Sequence, residues 1–566
     1  MIIMGSLNGE KQRAIIIIEG EGASPGVSDM RTLAEILIEA LKQEGIDLVF
    51  GIPSVHNIRL YEALRKEPGI RHILCRHETT ATHMADGYAR VNDRPGVVIA
   101  STGPGTGYAV PAMHEAWGNC SPVILVTTNI PTQGIGAGTG MLHELENQEA
   151  LFGGITKRAI TVREADEIEA RVGEAVRAAV SGRPGPVYLE VPCDLLKKEI
   201  PGGERYSPAA QAEKGLQKGF KKALSLLNSA RQPLLVVGNE VGRAGIATDV
   251  LGLAERIGAP IVTNTNGKGV VPEDHPLAFG NIARRGVVRE LVQGCDVAVA
   301  VGTRLRDVDA KRRGLVLPVL IHVDWDERWA HRNFPAEVVL TGDVPAVFKA
   351  LARDVEAGPT VNKRLGRIKA MKKRLEKETK EIRQSAIELE YLEAIRRAVP
   401  RESSLFIDNT QLGYWAEYFY PSYCSGGLIG AKGSSTIGFA FAAAIGGKIA
   451  APDRPVLALI GDGGFLYSSQ ELATCMRHNI KFPVIVNNDE AYGVISYLQR
   501  EKFHTEYESR IANPDFVALA EAYGANAVRV DSPISLGKAV ENALESGDMW
   551  VIELAATFRE PAFGRY

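Results

Sequence analysis

Residues 457–493, LALIGDGGFLYSSQELATCMRHNIKFPVIVNNDEAYG, carry the pattern that decides the fold. An apolar run at 456–460 ends at Gly461, and a second apolar run at 482–486 ends in Asn487-Asn488-Asp489. Short apolar runs that end in turn residues are typical of buried strands in a parallel sheet. The segment between the runs predicts one helix. The stretch therefore predicts a strand–helix–strand unit whose strand ends share the sheet edge where ligands bind.

The two predicted strands each bring a carboxylate to that edge, Asp462 and Asp489. Such oxygen ligands suit Mg²⁺, which usually takes one or two carboxylates and completes its shell with water and phosphate oxygens. Gly463 and Gly464 have no Cβ atom, so their N–H groups can approach a phosphate, and the N-terminus of the following helix also favours an anion. The stretch predicts a diphosphate bridged by a cation. A simple strand–turn–helix connection is the alternative, but it leaves the ending NNDEAYG unexplained.

Length and composition limit the class of protein. A chain of 566 residues is too long for one hydrophobic core. A net charge of −3 with both signs mixed argues against a nucleic-acid partner or an anionic membrane surface. The six cysteines are scattered, with neither metal-ligand spacing nor a disulfide framework, so we expect a cytoplasmic location. The longest small-apolar run, 437–451, is too short to span a bilayer and predicts a buried helix.

Alternating strand and helix patterns divide the chain into three α/β parts. The expected boundaries are an N-terminal extension at 1–29, a first domain at 30–200, a middle domain at 215–355 and a third domain at 375–566. The apolar segment of the extension is too short for a secretory signal. A linker is predicted at 201–218 and a solvated helix and linker at 355–397. Gly238 and Gly242 do not have the spacing of a dinucleotide loop, so the middle domain is predicted to be Rossmann-like without a bound nucleotide.

The motif GDG, a helix and then a pair of Asn or Asp residues before Tyr-Gly resembles the signature of thiamine-diphosphate (ThDP) enzymes. The three-part order is similar to the acetolactate synthase, pyruvate oxidase and 2-oxo-acid decarboxylase branch. The resemblance implies fold class α/β with three parallel-sheet domains: pyrimidine-binding, Rossmann-like middle and diphosphate-binding. It implies Mg²⁺ ligands at Asp462, Asp489 and the carbonyl of Ala491, with Asn488 as the alternative to Asp489. The other implied cofactor-binding residues are Thr410, Gln411, Ile437, Gly461, Gly463, Gly464, Tyr492 and Gly493.

Within that list, the resemblance gives Ile437 the role of supporting the bent cofactor, and an ordinary core isoleucine is the alternative. Ala442 stands where many relatives have proline. Glu78, in RHETTATHMADGYAR, matches the activating glutamate, whose carboxyl group hydrogen-bonds the cofactor's aminopyrimidine. A first-turn glutamate that interacts with the helix dipole is the alternative for Glu78. In the family, this glutamate meets the cofactor held by the partner subunit, which implies a homodimer or homotetramer.

Substrate contacts are expected from the first domain. A histidine there could donate to a carboxylate or move a proton, and His56 and His114 join Glu78 as catalytic candidates. The alternative for each histidine is a core or surface residue held by hydrogen bonds. The full set of candidates for contacts to the substrate is His56, His114, Glu115, His143, Glu144 and Gln148.

We therefore expect a ThDP- and Mg²⁺-dependent enzyme that breaks or forms a C–C bond of a small-molecule 2-oxo acid, as an acetolactate-synthase-like carboligase. The segment after Gly493 lacks the Trp-containing stretch expected of a typical acetolactate synthase. A 2-oxo-acid decarboxylase that releases an aldehyde is therefore the main alternative. An FAD-dependent oxidase, with FAD in the middle domain, and a non-catalytic ThDP-binding subunit are the others, and neither is favoured.

Overall fold

The computed structural model describes residues 30–201, 219–310 and 314–561. The predicted extension at 1–29 and nearly all of the predicted linker, 202–218, lie outside these residues. The described chain forms three six-stranded sheets in which every strand pairing is parallel, plus one short antiparallel pair. The predicted fold class is thus confirmed. No helix among the described residues is long and apolar enough to cross a bilayer.

The first sheet has the strand order β3-β2-β4-β5-β7-β6, while β1 and β8 form the antiparallel pair. In chain order the elements are β1 Met30–Thr32, α1 Leu33–Gln43, β2 Leu48–Gly51, α2 Ile58–Lys66, β3 Arg71–Leu74, α3 Glu78–Asn92, β4 Gly96–Ala100, α4 Pro104–Gly118, β5 Val123–Asn129, β6 Arg158–Thr161, α5 Ile168–Val180, β7 Val187–Pro192 and β8 Glu199–Pro201. The four strands β2, β4, β5 and β7 are wholly buried, as expected for a parallel sheet covered by helices on both faces.

The middle sheet has the order β11-β10-β9-β12-β13-β14. Its elements, with the long helix that follows them, are α6 Phe220–Ser229, β9 Pro233–Val237, α7 Glu240–Arg243, α8 Ala247–Ile257, β10 Ile261–Thr263, β11 Ala278–Asn281, α9 Val287–Gln293, β12 Val297–Val301, β13 Leu320–Asp324, β14 Val338–Thr341, α10 Val344–Asp354 and α11 Val361–Arg383. Helix α11 is not only solvated, because its residues Ile368, Met371 and Leu375 are buried against the middle core.

The third sheet has the order β16-β15-β17-β18-β20-β19. Its elements are α12 Ile387–Ala398, β15 Ser404–Ile407, α13 Gln411–Phe419, β16 Leu428–Gly430, α14 Phe439–Ala450, β17 Val456–Gly461, α15 Asp462–Leu466, α16 Leu472–His478, β18 Pro483–Asn488, α17 Gly493–Phe503, α18 Phe516–Tyr523, β19 Asn526–Val530, α19 Pro533–Ser546 and β20 Trp550–Ala555. Two short helices, α15 and α16, replace the single helix predicted between β17 and β18. The parallel pairing of β17 with β18 agrees with the prediction.

The first and third parts of the chain pack closely through α3 and α14. A Cβ atom added at Gly87 would lie 1.9 Å from the carbonyl oxygen of Ala443, and one added at Gly446 would lie 1.8 Å from the carbonyl oxygen of Met84. The two helices therefore touch backbone to backbone, which requires glycine at both positions. This contact explains the Gly/Ala-rich run in α14 and fixes two of the sheets against each other.

Candidate functional site

A cavity of about 310 Å³ lies at the carboxyl ends of β15, β17 and β18. Such a volume is sufficient for a small-molecule ligand. Every residue that lines it comes from the third part of the chain. It brings together all the residues of that part that were predicted to bind a cofactor: Thr410, Gln411, Ile437, Gly461, Asp462, Gly463, Gly464, Asp489, Ala491, Tyr492 and Gly493.

Two carboxylates, Asp462 and Asp489, face this cavity from neighbouring strands. Burial is the main cause that raises the pKa of Asp489, to about 7, and the negative charge of Asp462 raises it further. Burial also raises the pKa of Asp462, against hydrogen bonds from the Gly463 N–H (2.7 Å) and the Asn513 amide (2.8 Å). A divalent cation between the two would relieve their repulsion and has the oxygen donors it needs. The donor set therefore fits Mg²⁺.

The alternative ligand, Asn488, is already engaged. Its side-chain nitrogen donates to Glu553 (2.8 Å), its oxygen accepts from Asn513 (2.9 Å), and it does not line the cavity. The segment that carries Ala491 is held by two backbone hydrogen bonds, from Tyr492 to Ser509 (2.8 Å) and from Ile511 to Glu490 (3.0 Å). These contacts favour Asp489 over Asn488 as the second ligand.

At three glycines of the motif, an added side chain would come too close to a residue of the cavity wall. An added Cβ atom would lie 2.6 Å from the Tyr492 ring at Gly463, 2.9 Å from a carboxylate oxygen of Asp408 at Gly464, and 2.4 Å from a carboxylate oxygen of Asp489 at Gly493. A side chain at any of them would displace a residue of the cavity wall. The glycines thus let the backbone come close to whatever fills the cavity.

Asp408 is a residue of this cavity that the sequence analysis missed. It is buried and accepts hydrogen bonds from the backbone N–H groups of Gly438 (3.0 Å) and Ala440 (2.9 Å), at the start of α14. Burial raises its pKa to about 7, although these two donors lower it. The sequence does contain a signal for Asp408, because this residue follows the apolar strand β15 just as Asp462 follows β17. Asp408 holds the backbone next to Ile437.

Glu78, the first residue of α3, lies on a different part of the molecule. Among the described residues, none forms a hydrogen bond with its half-buried carboxylate, which is therefore available to an external group. One of its oxygens would lie 3.0 Å from a Cβ atom added at Gly105, in the first turn of α4. The loop that leads to Gly105 is also bonded to the loop after β2, through Ser101 and Ser54 (2.6 Å). Glu78 and these loops form one face at the carboxyl edge of the first sheet.

The two histidine candidates differ. The His56 ring lies 5.0 Å from that of His143, and both Nδ1 atoms are buried without a hydrogen-bond partner among the described residues. Burial and the neighbouring His143 both lower the pKa of His56, which favours the neutral form of its ring. His114 is exposed on α4 beside Trp117, with ring centroids 6.2 Å apart. The geometry thus favours His56 over His114 for contact with a ligand.

The remaining candidates are occupied within the protein. The buried side chain of Gln148 donates to Glu190 (2.9 Å) and accepts from the Gly103 N–H (2.7 Å). The Glu144 carboxylate accepts from backbone N–H groups of its own loop, at Gly138 (2.8 Å) and Met141 (2.9 Å). Both side chains shape the face around Glu78 and have few free atoms for a substrate.

The Glu115 carboxylate is also buried, and it joins the first part of the chain to the third. It accepts hydrogen bonds from the backbone N–H groups of Gly433 (2.8 Å), Ser434 (2.7 Å) and Ser435 (3.0 Å), and it pairs with Arg90 (3.3 Å). Burial alone would raise its pKa, but Arg90 and these donors lower it overall. Glu115 therefore positions the loop that leads to Ile437, a role the sequence analysis did not predict.

The raised pKa values predict a pH-dependent affinity for the cation. With a pKa raised to about 7, Asp489 retains a proton at mildly acidic pH, which Mg²⁺ must displace, and the raised pKa of Asp462 acts in the same direction. We expect affinity for Mg²⁺ to fall as the pH drops from about 8 to about 6, with protons released on binding. Without the cation, the same shifts make the folded state less stable as the pH rises towards about 7, because the native carboxylates hold their protons more tightly. Titration calorimetry at several pH values measures the affinity, and a pH-independent affinity would contradict the assignment.

Comparisons with known proteins agree with this geometry. The chain matches three family models: the N-terminal and C-terminal thiamine pyrophosphate binding domains, at residues 31–151 and 408–554, and the central domain of thiamine pyrophosphate enzymes, at 220–351. It is 31% identical to a probable acetolactate synthase large subunit of Methanocaldococcus jannaschii, over 92% of this chain and 91% of that protein. It is 33% identical to a probable 2-ketoarginine decarboxylase of Pseudomonas aeruginosa, over 87% and 88%. An acetolactate synthase large subunit of Lactococcus lactis is 27% identical, over 92% and 91%.

Proposed function

Because this chain belongs to the thiamine pyrophosphate enzymes and is a ThDP-dependent enzyme acting on 2-oxo acids, we propose that it forms a C–C bond from a small 2-oxo acid, as an acetolactate-synthase-like carboligase that requires Mg²⁺. Bound ThDP supplies the nucleophilic carbon and the electron sink for loss of CO₂ from such an acid. Asp462, Asp489 and the Ala491 carbonyl would hold the cation. Thr410, at the N-cap of α13, and Gln411 would contact the diphosphate.

The substrate class rests on the character of the cavity wall. Val494, Ile495 and Leu498 of α17 give it an apolar side. The charged residues that line it are Asp408 and the two cation ligands, which are committed to other contacts. An apolar wall without a free charge favours a small uncharged side chain, such as the methyl group of pyruvate, over the cationic side chain of 2-ketoarginine.

A second candidate function is a decarboxylase that releases an aldehyde. The specific observation in its favour is the pair of His56 and His143, whose partly buried rings have unused nitrogen atoms near the face of Glu78. A neutral histidine can relay a proton to a departing product, because one ring nitrogen takes up a proton from water while the other gives one up. The proton that completes an aldehyde would come from such a group.

Product analysis after incubation of the holoenzyme with pyruvate, ThDP and Mg²⁺ separates these functions. We expect acetolactate and CO₂. Acetaldehyde without acetolactate would replace the carboligase by the decarboxylase, and in a single turnover the His56→Ala variant should then slow aldehyde release more than CO₂ release. No CO₂ from pyruvate or from its longer uncharged homologues would contradict the proposed substrate class.

The active site is proposed to form between two copies of the chain. No residue from the first part of the chain lines the cofactor cavity, whereas Glu78 belongs to that first part. Large apolar side chains are exposed on both parts: Val55 (70%), Ile58 (61%) and Leu142 (66%) near the loops around Glu78, and Tyr467 (57%), Phe503 (69%) and Tyr507 (75%) on the third part. Exposed apolar patches of this kind mark interfaces. A two-fold dimer would bury both patches and bring Glu78 of one copy to the cavity of the other.

Complementation between two inactive variants tests this arrangement. We expect Glu78→Gln and Asp462→Ala each to be inactive, and a refolded or co-expressed mixture to regain activity. Random association makes about half of the dimers mixed, and in each mixed dimer one of the two sites has both native residues. About a quarter of the normal activity should therefore return. No recovery in a mixture shown to contain mixed dimers would contradict a shared site.

We further propose that the reaction does not use FAD. The carboxyl ends of the middle strands, where a nucleotide would bind, receive Arg183 from the first part of the chain. This buried guanidinium pairs with Glu240 (2.9 Å) and with Asp324, at the end of β13. We expect the purified active enzyme to be colourless and its turnover to be unaffected by added FAD. Flavin absorbance together with FAD-dependent turnover would overturn this proposal.

A further inference from the structure

A second cavity, of about 360 Å³, lies between helix α11 and the amino-terminal edge of the middle sheet. Its floor is apolar and buried, and is formed by Pro233, Pro260, Leu291, Ile368 and Met371. Its volume lies within the range of small-molecule sites. None of its lining residues lines the cofactor cavity, so it is separate from the site described above.

Four basic side chains surround this floor: Arg231, Lys363, Arg364 and Arg367. None of them forms an ion pair with any residue that the structure describes, whereas Arg374, further along α11, pairs with Glu290 (2.7 Å). Two carboxylates lie near the four: Asp296, which accepts from the backbone N–H groups of Arg231 (2.7 Å) and Gln232 (2.8 Å) and attracts Arg364, and Glu290, which attracts Arg367 while it pairs with Arg374. The four basic side chains therefore outnumber the two carboxylates that act on them among the described residues, and the cavity keeps an excess of positive charge.

Two of the guanidinium groups are held in place by hydrogen bonds to uncharged oxygen atoms. Arg364 donates to the carbonyl of Ala230 (2.8 Å), while its Nε atom is buried and has no hydrogen-bond partner. Arg367 donates to the side-chain oxygen of Gln232. Gly258, with φ of +61°, allows α11 to approach, because an added Cβ atom would lie 3.2 Å from that of Arg364. Fixed guanidinium groups beside an apolar floor are suited to bind an anion that carries a flat apolar body.

We propose that this cavity is a binding site for a nucleoside diphosphate, with the base on the apolar floor and the phosphates on Arg231, Lys363, Arg364 and Arg367. Four unpaired cations exceed what a single carboxylate needs, and guanidinium groups match phosphate oxygens two at a time. The site goes beyond the proposed function, because it contains no residue of the catalytic machinery. A ligand here would join α11 to the middle sheet and stabilise the folded holoenzyme.

The test is titration calorimetry of the holoenzyme, saturated with ThDP and Mg²⁺, with ADP, GDP and UDP as probes. We expect saturable binding of at least one probe, and a higher melting temperature in its presence. Adenosine and inorganic pyrophosphate should each bind more weakly, because each lacks one half of the contacts. Displacement by excess ThDP would place the probe in the cofactor cavity and overturn the proposal.

Substitutions on α11 test whether the nucleotide binds in this cavity. Arg364→Gln should weaken the affinity for the nucleotide about tenfold, as expected for loss of a charge-assisted hydrogen bond. If Arg364→Gln does not fold, Lys363→Gln, at an exposed position, takes its place in the test. Arg374→Gln is the matched control on the same helix and should bind as the native enzyme does. Equal affinity in all variants, or no binding of any of the three nucleotides, would overturn the proposal.

Discussion

Replacement of Glu78 by glutamine should remove turnover while leaving ThDP binding nearly intact. We expect kcat to fall about 10²–10⁴-fold, the usual contribution of a positioned acid or base. The half-buried carboxylate has no hydrogen-bond partner among the described residues, so it can share a proton with a ring nitrogen of the cofactor. A glutamine amide has nearly the same shape but cannot take part in that exchange. Steady-state kinetics and calorimetric titration with ThDP give the two quantities.

The control for this variant is Glu62→Gln, on the exposed surface of α2, where the carboxylate contacts Arg65 (2.7 Å). We expect it to keep native turnover. The thermal midpoint of Glu78→Gln should stay close to that of the native protein, because no described hydrogen bond is lost. Native kcat in Glu78→Gln would refute the catalytic assignment and return Glu78 to an ordinary residue of the first helical turn.

The second large effect is expected from Asp462→Ala. This carboxylate is one of the two proposed cation ligands, and burial raises the pKa of the other, Asp489, to about 7. We expect Mg²⁺ affinity to fall by more than the ~10–100-fold that removal of an outer-shell partner costs. ThDP affinity and turnover should fall with it, because the proposed cation would supply much of the attraction between the diphosphate and the protein. Titration with Mg²⁺ at fixed ThDP measures the loss.

Asp453→Asn is the matched control for Asp462→Ala. Asp453 is exposed and lies just before β17, at the opposite end of the strand from Asp462. It should bind Mg²⁺ as the native protein does. Removal of the metal with a chelator should reproduce the loss seen in Asp462→Ala and be reversed by added Mg²⁺. A cofactor affinity in Asp462→Ala equal to that of the native enzyme would contradict the proposed cation site.

The sequence was most informative where local pattern and chemistry coincide. The apolar runs around Gly461 and Asn487 predicted two neighbouring parallel strands, and the structure pairs these residues directly. The resemblance to ThDP enzymes is confirmed by matches in all three parts of the chain. The roles of Glu78, Asp462 and Asp489 stay predictions until the variants are measured.

The interpretation of Glu115 was limited because its role depends on contacts distant in sequence. It was considered for the substrate, yet its partners Gly433, Ser434 and Ser435 lie about 320 positions away, and no local pattern reveals them. The same holds for α11, the first helix in the region 355–397 that was predicted to be a solvated helix and linker. The many charged residues of α11 indicate a solvated helix. Its buried face packs on the core of the middle sheet, and the sequence of the helix alone does not reveal that contact.

The hydrogen bonds from the 433–435 loop to Glu115 would link two reaction centres of the proposed dimer. Glu115 lies on α4, whose first turn adjoins Glu78, and it holds the loop that leads to Ile437. In the proposed dimer, Glu78 would serve the cofactor of the second copy, whereas Ile437 would serve the cofactor of its own chain. Each subunit would then connect two reaction centres through a buried carboxylate. A small displacement of α4 at one centre would therefore be transmitted to the loop at the other, so a substitution at Glu115 would disturb both centres at once.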